Sequence, residues 1–335
     1  MFRAQILSGA GRVLVSPARM PISATSRQLS TQNQGKPLGN APLYLSLAGL
    51  AGLSYYVYGE SKQKSPSQKD TPQLVGALSK DEFVDFSLKR IEPYNHNTAK
   101  FTFALPENSA SLLPVAACIL VNAKEAGPKD DKGNPIIRPY TPISPSDTRG
   151  EIQLLVKKYD TGKLTPFIFR MKPGDKLGFK GPIPKIPYEA NKWDEVAMIS
   201  GGSGITPMYQ ILNHALHLKD DKTKFTLIFA NVSPADILLR EDLDSFKKQH
   251  PDRFNVVYVV DKAEGNWTGP TGHVNADLIR KHVPPPSAGE KVKILICGPP
   301  GQVKAISGPK EGMKQGRLDG TLKELGYTQD QVFKF

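Results

Sequence analysis

Cysteine is nearly absent. The chain of 335 residues holds two, Cys118 and Cys297, each in an apolar run and far apart in sequence. Two thiols cannot build a disulfide scaffold, and without a Cys-x-x-Cys pair there is no zinc or iron–sulfur signature, so no metal is expected. Acidic residues are missing from the first 59 positions, where Arg3, Arg12, Arg19, Arg27 and Lys36 stand alone before Glu60. The remaining 39 basic and 32 acidic residues leave +7 of the total charge of +12. No Lys/Arg-rich run gathers that charge, which excludes a nucleic-acid footprint. A diffuse positive surface suits an acidic protein partner through complementary fields, and equally suits a merely solvated surface. Internal repeats are absent. No apolar h-region follows the first basic residues, which sets a secretory signal aside.

What is present begins with an address. Residues 1–40 are rich in Arg, Ser and small residues, and Phe2, Ile6 and Val13 share one side of a helical wheel, the pattern of a mitochondrial presequence. Residues 41–59 hold an uncharged, mostly apolar run after Pro42. At about 1.5 Å of rise per residue it covers most of a ~30 Å bilayer core. Tyr55, Tyr56 and Tyr58 cluster at one end, where aromatic rings favour the membrane interface. The run reads as a transmembrane anchor, with a buried helix or a cleavable sorting segment as the alternatives. Residues 60–73 are polar with Pro and Ser, and read as a flexible linker.

From 74 to 191 short strands alternate with turn residues. Phe83–Leu88, Lys100–Leu105, Ala117–Val121, Ile152–Tyr159 and Lys176–Lys180 are strand candidates. The Pro and Gly punctuation between them predicts a small antiparallel β-barrel. Arg138-Pro-Tyr-Thr-Pro-Ile-Ser144 carries two prolines in a strand-like run, so this backbone lies at an edge or lines a ligand. Arg138 offers a planar fork for phosphate, Tyr140 a ring and Thr141 a hydroxyl; an edge strand with a solvated arginine explains the same residues. In Tyr159-Asp-Thr-Gly-Lys-Leu-Thr165-Pro166, Gly162 permits a turn, Thr165 can cap, and Pro166 suits the first helical position. A helix N-terminus there, reached through Lys163 and Leu164, would present N–H groups to phosphate, or be a plain cap.

From 192 to 335 strands and helices alternate, predicting a parallel sheet with covering helices. The strand candidates are Val196–Ser200, Phe225–Ala230, Phe254–Val260 and Val292–Cys297, and the helix candidates Met208–Leu218, Ala235–His250 and Asn275–Val283. Strand, Gly201-Gly-Ser-Gly204, helix is phosphate-binding architecture. From Gly202 it reads Gly-x-Gly-x-x-Pro, with Pro207 where an ordinary dinucleotide fingerprint has glycine. Cys297-Gly298-Pro299-Pro300 closes the last buried strand, at the carboxyl edge where ligands sit in open α/β sheets. Asp261 ends another such strand, where a carboxylate binds ribose hydroxyls and repels a 2′-phosphate, unless it is a simple turn residue.

The Arg-x-Tyr-Thr strand followed by Gly-x-x-Thr resembles the flavin-binding half of the ferredoxin–NADP reductase superfamily. Arg138-Pro-Tyr-Thr-Pro142, Gly201-Gly-Ser-Gly-Ile-Thr-Pro207 and Cys297-Gly-Pro-Pro300 resemble most closely the NADH–cytochrome b5 reductases, from Leu74 to Phe335 in the same motif order. The presequence and anchor point to the mitochondrial form found in fungi, in the outer membrane or released into the intermembrane space. That resemblance implies an NADH-dependent flavoenzyme with FAD as cofactor, hydride passing to flavin N5 and single electrons to cytochrome b5 as acidic acceptor. Arg138 and Thr165 would hold the FAD pyrophosphate, Tyr140 would pack along the flavin and ribityl chain, and Thr141 would approach N5. Val156, Lys157 and Tyr159 match a strand near FAD or the nicotinamide, Thr206 would line the nicotinamide pocket, and the Cys297 thiol would lie beside it. By resemblance Asp261 favours NADH over NADPH. Phe229–Asn231 and Asp236–Arg240 read as framework, and Phe333-Lys334-Phe335 as packing near the cleft. Lys157, Lys163 and Lys185 are candidates to meet the acceptor. Ala116-Ala117-Cys118 stands where the family carries Gly-Gln-His, and Pro166 replaces a polar residue. No acid–base residue is implied. A quinone or ferric acceptor, or a membrane-tethered module without turnover, are the other readings.

Overall fold

A computed structural model describes residues 73–159 and 161–335. The presequence, the anchor and all but the last linker residue lie outside the described residues. In the first half the strands are β1 (Val75–Gly76), β2 (Val84–Asn95), β3 (Thr98–Ala104), β4 (Ser109–Ala110) and β5 (Ala117–Asn122). Then come β6 (Arg138–Tyr140), β7 (Glu151–Lys157), the single-turn helix α1 (Leu164–Ile168) and β8 (Lys176–Pro184). Short β1 and β4 pair in parallel. The other six form one antiparallel sheet in the order β6-β5-β8-β2-β3-β7. The strand ladder runs from β6 to β7 as its end strands, and Ile143 N–H, just past β6, donates to Gln153 O of β7 at 2.9 Å, so the two ends of the sheet meet, as in the expected barrel, through a main-chain bond and not a further strand pairing. Pro139 and Pro142 explain one edge, since neither can donate to a further strand.

This sheet wraps one aromatic core. Phe101, Phe103 and Phe179 have no exposed surface, and the Phe103 and Phe179 rings meet edge-on at 4.9 Å. Burying each such ring is worth about 1.5–3 kcal/mol. Leu164 and Ile168 of α1 join the same core, which fixes the turn before α1 against the end of β7.

The second sheet contains β9 (Glu195–Gly201), β10 (Lys224–Asn231), β11 (Phe254–Val260), β12 (Val292–Cys297) and β13 (Val332–Lys334). All its pairings are parallel, in the order β11-β10-β9-β12-β13. Helices α2 (Ile205–Ala215), α3 (Arg240–Gln249), α4 (Ala276–His282), α5 (Pro300–Ser307) and α6 (Gly320–Glu324) accompany it. Apolar clusters cover both faces of the central strand: Val196 and Met198 join one, Ala197 and Ile199 the other. That two-sided burial is why β9 reads as a continuous apolar run rather than an alternating one.

Short bonds set the two sheets against each other. The Tyr94 hydroxyl at the end of β2 accepts Leu239 N–H at 2.7 Å, holding a buried leucine at a φ of 55° where α3 begins. Asn95 Nδ2 donates to Ala235 O at 3.0 Å, and Ala116 N–H to Gln210 Oε1 of α2 at 2.7 Å.

Candidate active site

Four strands of the parallel sheet end side by side. The ladder places Ser200 opposite Cys297, Gly201 opposite Ala230, and Asn231 opposite Val260. Asp261 follows at once, its N–H bonded to Asn231 O at 3.0 Å. Gly202–Gly204 form a 3-10 turn into α2, with Gly202 at a φ of 51°. Thr206 and Pro207 are buried in the first turn of α2, and the Thr206 hydroxyl donates to Ser203 O at 3.3 Å. Close approach dictates the glycines here. A Cβ on Gly204 would stand 2.3 Å from Cys297 O, and one on Gly201 2.0 Å from Gln302 Oε1. Gly298 and Pro299 link Cys297 to α5.

This edge keeps polar atoms in reserve. Ser200 Oγ, both amide atoms of Asn231 and Gln302 Nε2 are buried without a hydrogen-bond partner. Each such atom costs about 1–3 kcal/mol, so a polar ligand partnering them is the physical expectation. The Cys297 thiol is pushed up to about 12 by burial. It is therefore a neutral packing group at physiological pH and not a nucleophile.

On the facing sheet, Arg138 opens edge strand β6 with an exposed side chain. Its Nη1 donates to the adjacent Ile137 O at 2.8 Å, and no carboxylate pairs with it among the described residues. Such a guanidinium fits a phosphate. Tyr140 packs against the aromatic core and burial raises its phenol above the ordinary value. Thr141 is buried immediately after β6. A flavin nucleotide fits this donor set, just as a pyridine dinucleotide fits the glycine-lined edge opposite.

The turn before α1 differs from its reading in the sequence. The helix starts at Leu164 rather than Pro166 and lasts five residues, too short to build a substantial dipole. The Thr165 hydroxyl does not cap it; it accepts Tyr159 N–H at 3.3 Å. Gly162 is required because a Cβ would lie 2.7 Å from that same hydroxyl. Lys163 reaches Asp131 at 3.3 Å on the surface.

Val156 and Lys157 end β7 in buried positions. Lys157 was a candidate to meet an acceptor, but its Nζ is turned inward to Asp236 Oδ1 at 2.8 Å, so it cannot face a docking protein. Asp236 belongs to the other sheet's domain, in the turn after β10. Burial pushes its carboxyl up, but hydrogen bonds from Lys157 and Ser233 outweigh this and hold it below the ordinary value. The sequence reading gave Asp236 only a framework role and passed over Ser203, whose hydroxyl lies 2.8 Å from the Tyr159 hydroxyl. Nothing local marks either residue, because the partner comes from the other domain. Asn231 carried a signal: a polar residue closing a buried strand at the carboxyl edge.

Two sheets that meet in this way, one offering an exposed guanidinium and the other glycine-lined strand ends, define a two-domain flavin and pyridine-nucleotide oxidoreductase. Residues 85–188 match the oxidoreductase FAD-binding domain family, and residues 198–308 the oxidoreductase NAD-binding domain family. A solved structure of the cytochrome b5 reductase domain of Ulva prolifera nitrate reductase is similar, with a TM-score of 0.67 at 26% identity over 78% of this chain and 100% of that one. NADH-cytochrome b5 reductase 2 of Mycosarcoma maydis is 46% identical over 100% of both chains. The protein of that name from Coccidioides immitis is 42% identical over 94% of this chain and 97% of its own. The chain belongs to the NADH-cytochrome b5 reductase family.

Proposed function

We propose that this chain oxidises NADH at a bound FAD and passes the electrons singly to cytochrome b5. The observation that carries the reading is the Tyr159–Ser203 contact of 2.8 Å, which joins the turn after β7 to the glycine turn before α2. A flavin held by the first and a dinucleotide held by the second would share one seam. When bound, the flavin supplies the chemistry, taking two electrons with a hydride and releasing them one at a time. The protein binds and orients: Arg138 charge-pairs the pyrophosphate, and Tyr140 and Thr141 line the flavin. Gly201, Gly202 and Gly204 let the main chain approach the dinucleotide, Thr206 and Cys297 bound the nicotinamide side, and Asp261 takes the ribose hydroxyls. Val156, Lys157, Tyr159, Gly162, Lys163, Leu164 and Thr165 shape the wall between the two subsites, Lys157 through Asp236.

The test is anaerobic stopped-flow absorbance of the purified chain, mixed first with NADH and then with oxidised cytochrome b5. A flavin band that bleaches and then recovers as the haem reduces is the expected result. A bleach without haem reduction moves the acceptor to a quinone or ferric complex, and no flavin despite added FAD ends the reading. Arg138→Ala is expected to strip the protein of flavin, costing tenfold or more in FAD affinity through the ~1.5–3 kcal/mol of a charge-assisted bond; stoichiometric FAD in that variant would sink the assignment. Asp261→Ala should lower the NADH/NADPH ratio of kcat/KM at least ~10-fold, since the ribose hydroxyl partner and the repulsion of a 2′-phosphate go together. An unchanged ratio would leave Asp261 a turn residue.

The proposal extends to the cell. Residues 1–59 support a mitochondrial address with a single outer-membrane anchor, or a cleaved form in the intermembrane space. Among the described residues no helix is long and apolar enough to cross a membrane, so the anchor rests on the sequence of 41–59. Extraction of isolated mitochondria with alkaline carbonate would release the protein if that anchor were absent.

A further inference from the structure

One buried charge stands apart from the cofactor positions. Lys334 in β13 is 1% exposed, and among the described residues no carboxylate forms an ion pair with it. Its Nζ lies within hydrogen-bond distance of four main-chain carbonyls: Ser307 at 3.2 Å, Gly308 at 3.4 Å, Pro309 at 3.2 Å and Arg317 at 3.1 Å. An ammonium has three protons, so four oxygens over-supply it, as a ring of carbonyls does around a potassium ion. The main chain of the same residue is clamped by one side chain: Lys334 N–H donates to Gln315 Oε1 at 2.7 Å, and Gln315 Nε2 donates to Lys334 O at 2.9 Å. Burial disfavours the ammonium, and the Glu311 carboxylate on the same loop favours the charged form through its field without pairing with it. Lysine is seldom buried without a paired charge, so the carbonyl arrangement is retaining this one.

The cage sits beside the site. Parallel pairing puts Lys334 opposite Ile296, one residue before Cys297, and Phe335 N–H donates to Ile296 O at 2.9 Å. Alternation along the strand sends Phe333 and Phe335 to the opposite face from Lys334, against the cluster that includes Cys297. The caged loop, residues 308–317, carries half-buried Lys310, whose charge acts on the Cys297 thiol.

We propose that Lys334 is a positioning residue for dinucleotide binding: its ammonium fills a monovalent-cation site made of four carbonyls, and so holds loop 308–317 and β13 against the strand edge where Cys297 ends β12. This rests on reading that edge as the nicotinamide side.

The experiment uses the full chain with Lys334→Ala, assayed with NADH and ferricyanide in choline chloride and then in ammonium or potassium chloride at equal ionic strength. In choline the KM for NADH is expected to rise ~10-fold with kcat within about twofold and flavin retained. Ammonium or potassium should return both KM and Tm toward the wild-type values. Gln315→Ala keeps the ammonium and should raise KM about threefold without responding to the cation. An unchanged KM in both variants overturns the positioning role, and a response to choline equal to that to ammonium overturns the cage. If Lys334→Ala does not fold in either salt, the Gln315→Ala result decides. A wild-type chain that fails to oxidise NADH would sink the redox reading alone, because cation-dependent melting of Lys334→Ala still judges the cage.

Discussion

Replacing Gly204 with alanine is expected to raise the KM for NADH about 5- to 150-fold while FAD stays bound, an effect built from the ~1–3 kcal/mol of overpacking falling directly on the nucleotide subsite. The backbone conformation is no obstacle, since Gly204 has a φ of −64° that any residue adopts. Space is the obstacle. A Cβ would lie 2.3 Å from Cys297 O, 2.6 Å from Cys297 C and 2.8 Å from Gly298 N. All three are main-chain atoms, so no side chain can swing aside. Either the start of α2 or the end of β12 must move, and both border the proposed dinucleotide subsite. The antiparallel sheet has its own core and should keep the flavin. Gly301→Ala is the matched control, because nothing lies within 4 Å of its Cβ position; it should behave as wild type. Flavin absorbance and NADH titration of the two variants make the comparison. A normal KM in Gly204→Ala would mean that the approach of β12 to α2 does not shape the subsite.

Asp236→Ala should destabilise the folded chain by about 3–5 kcal/mol, the usual cost of leaving one member of a buried ion pair alone. Lys157 and Asp236 are 9% and 5% exposed, so water cannot take over the role of the lost partner. Lys157→Met combined with Asp236→Leu removes both charges and should recover most of the loss, because burying the pair has its own desolvation cost. Urea unfolding of Lys157→Met, of Asp236→Leu and of the double variant gives the coupling energy directly. Additive single effects would show that the two residues do not act as a pair. The pH sign follows from the lowered carboxyl of Asp236. Its contribution is complete above the unfolded value of about 3.9 and is lost as pH falls through the lower folded value. Wild type and Asp236→Ala should therefore differ fully at about pH 5 and above, and converge only as pH falls below the lowered folded value.

Local pattern carried much of the architecture. The strands expected at Phe254–Val260 and Val292–Cys297 have those bounds in the structure, because unbroken apolar runs between turn residues leave no other reading. The helix expected over Met208–Leu218 spans Ile205–Ala215, since proline is tolerated in a first turn. The single helix expected over Ala235–His250 is broken by a 3-10 turn at Pro234–Asp236 and a left-handed Leu239. Its periodicity is sound from Arg240 onward. What interrupts it is the demand of Tyr94 and Lys157 on the other domain, which no window along the chain contains. Strand β13 has three residues, too few for any period to register.

The sequence by itself determined the two kinds of sheet, the edge position of the Arg138 strand and the glycine turn that must approach another backbone. Each of these follows from covalent facts local to a few residues: a proline without a donor, a glycine without a Cβ, an alternation or a run of apolar side chains. Only the tertiary structure decided that Lys157 belongs to Asp236, that Tyr159 meets Ser203, and that Lys334 is buried among carbonyls with no ion-pairing carboxylate among the described residues. Those arrangements depend on partners 79, 44 and up to 27 positions away. A lysine in sequence is indistinguishable from any solvated lysine until folding withdraws the water around it and leaves the nearest oxygen to take its place.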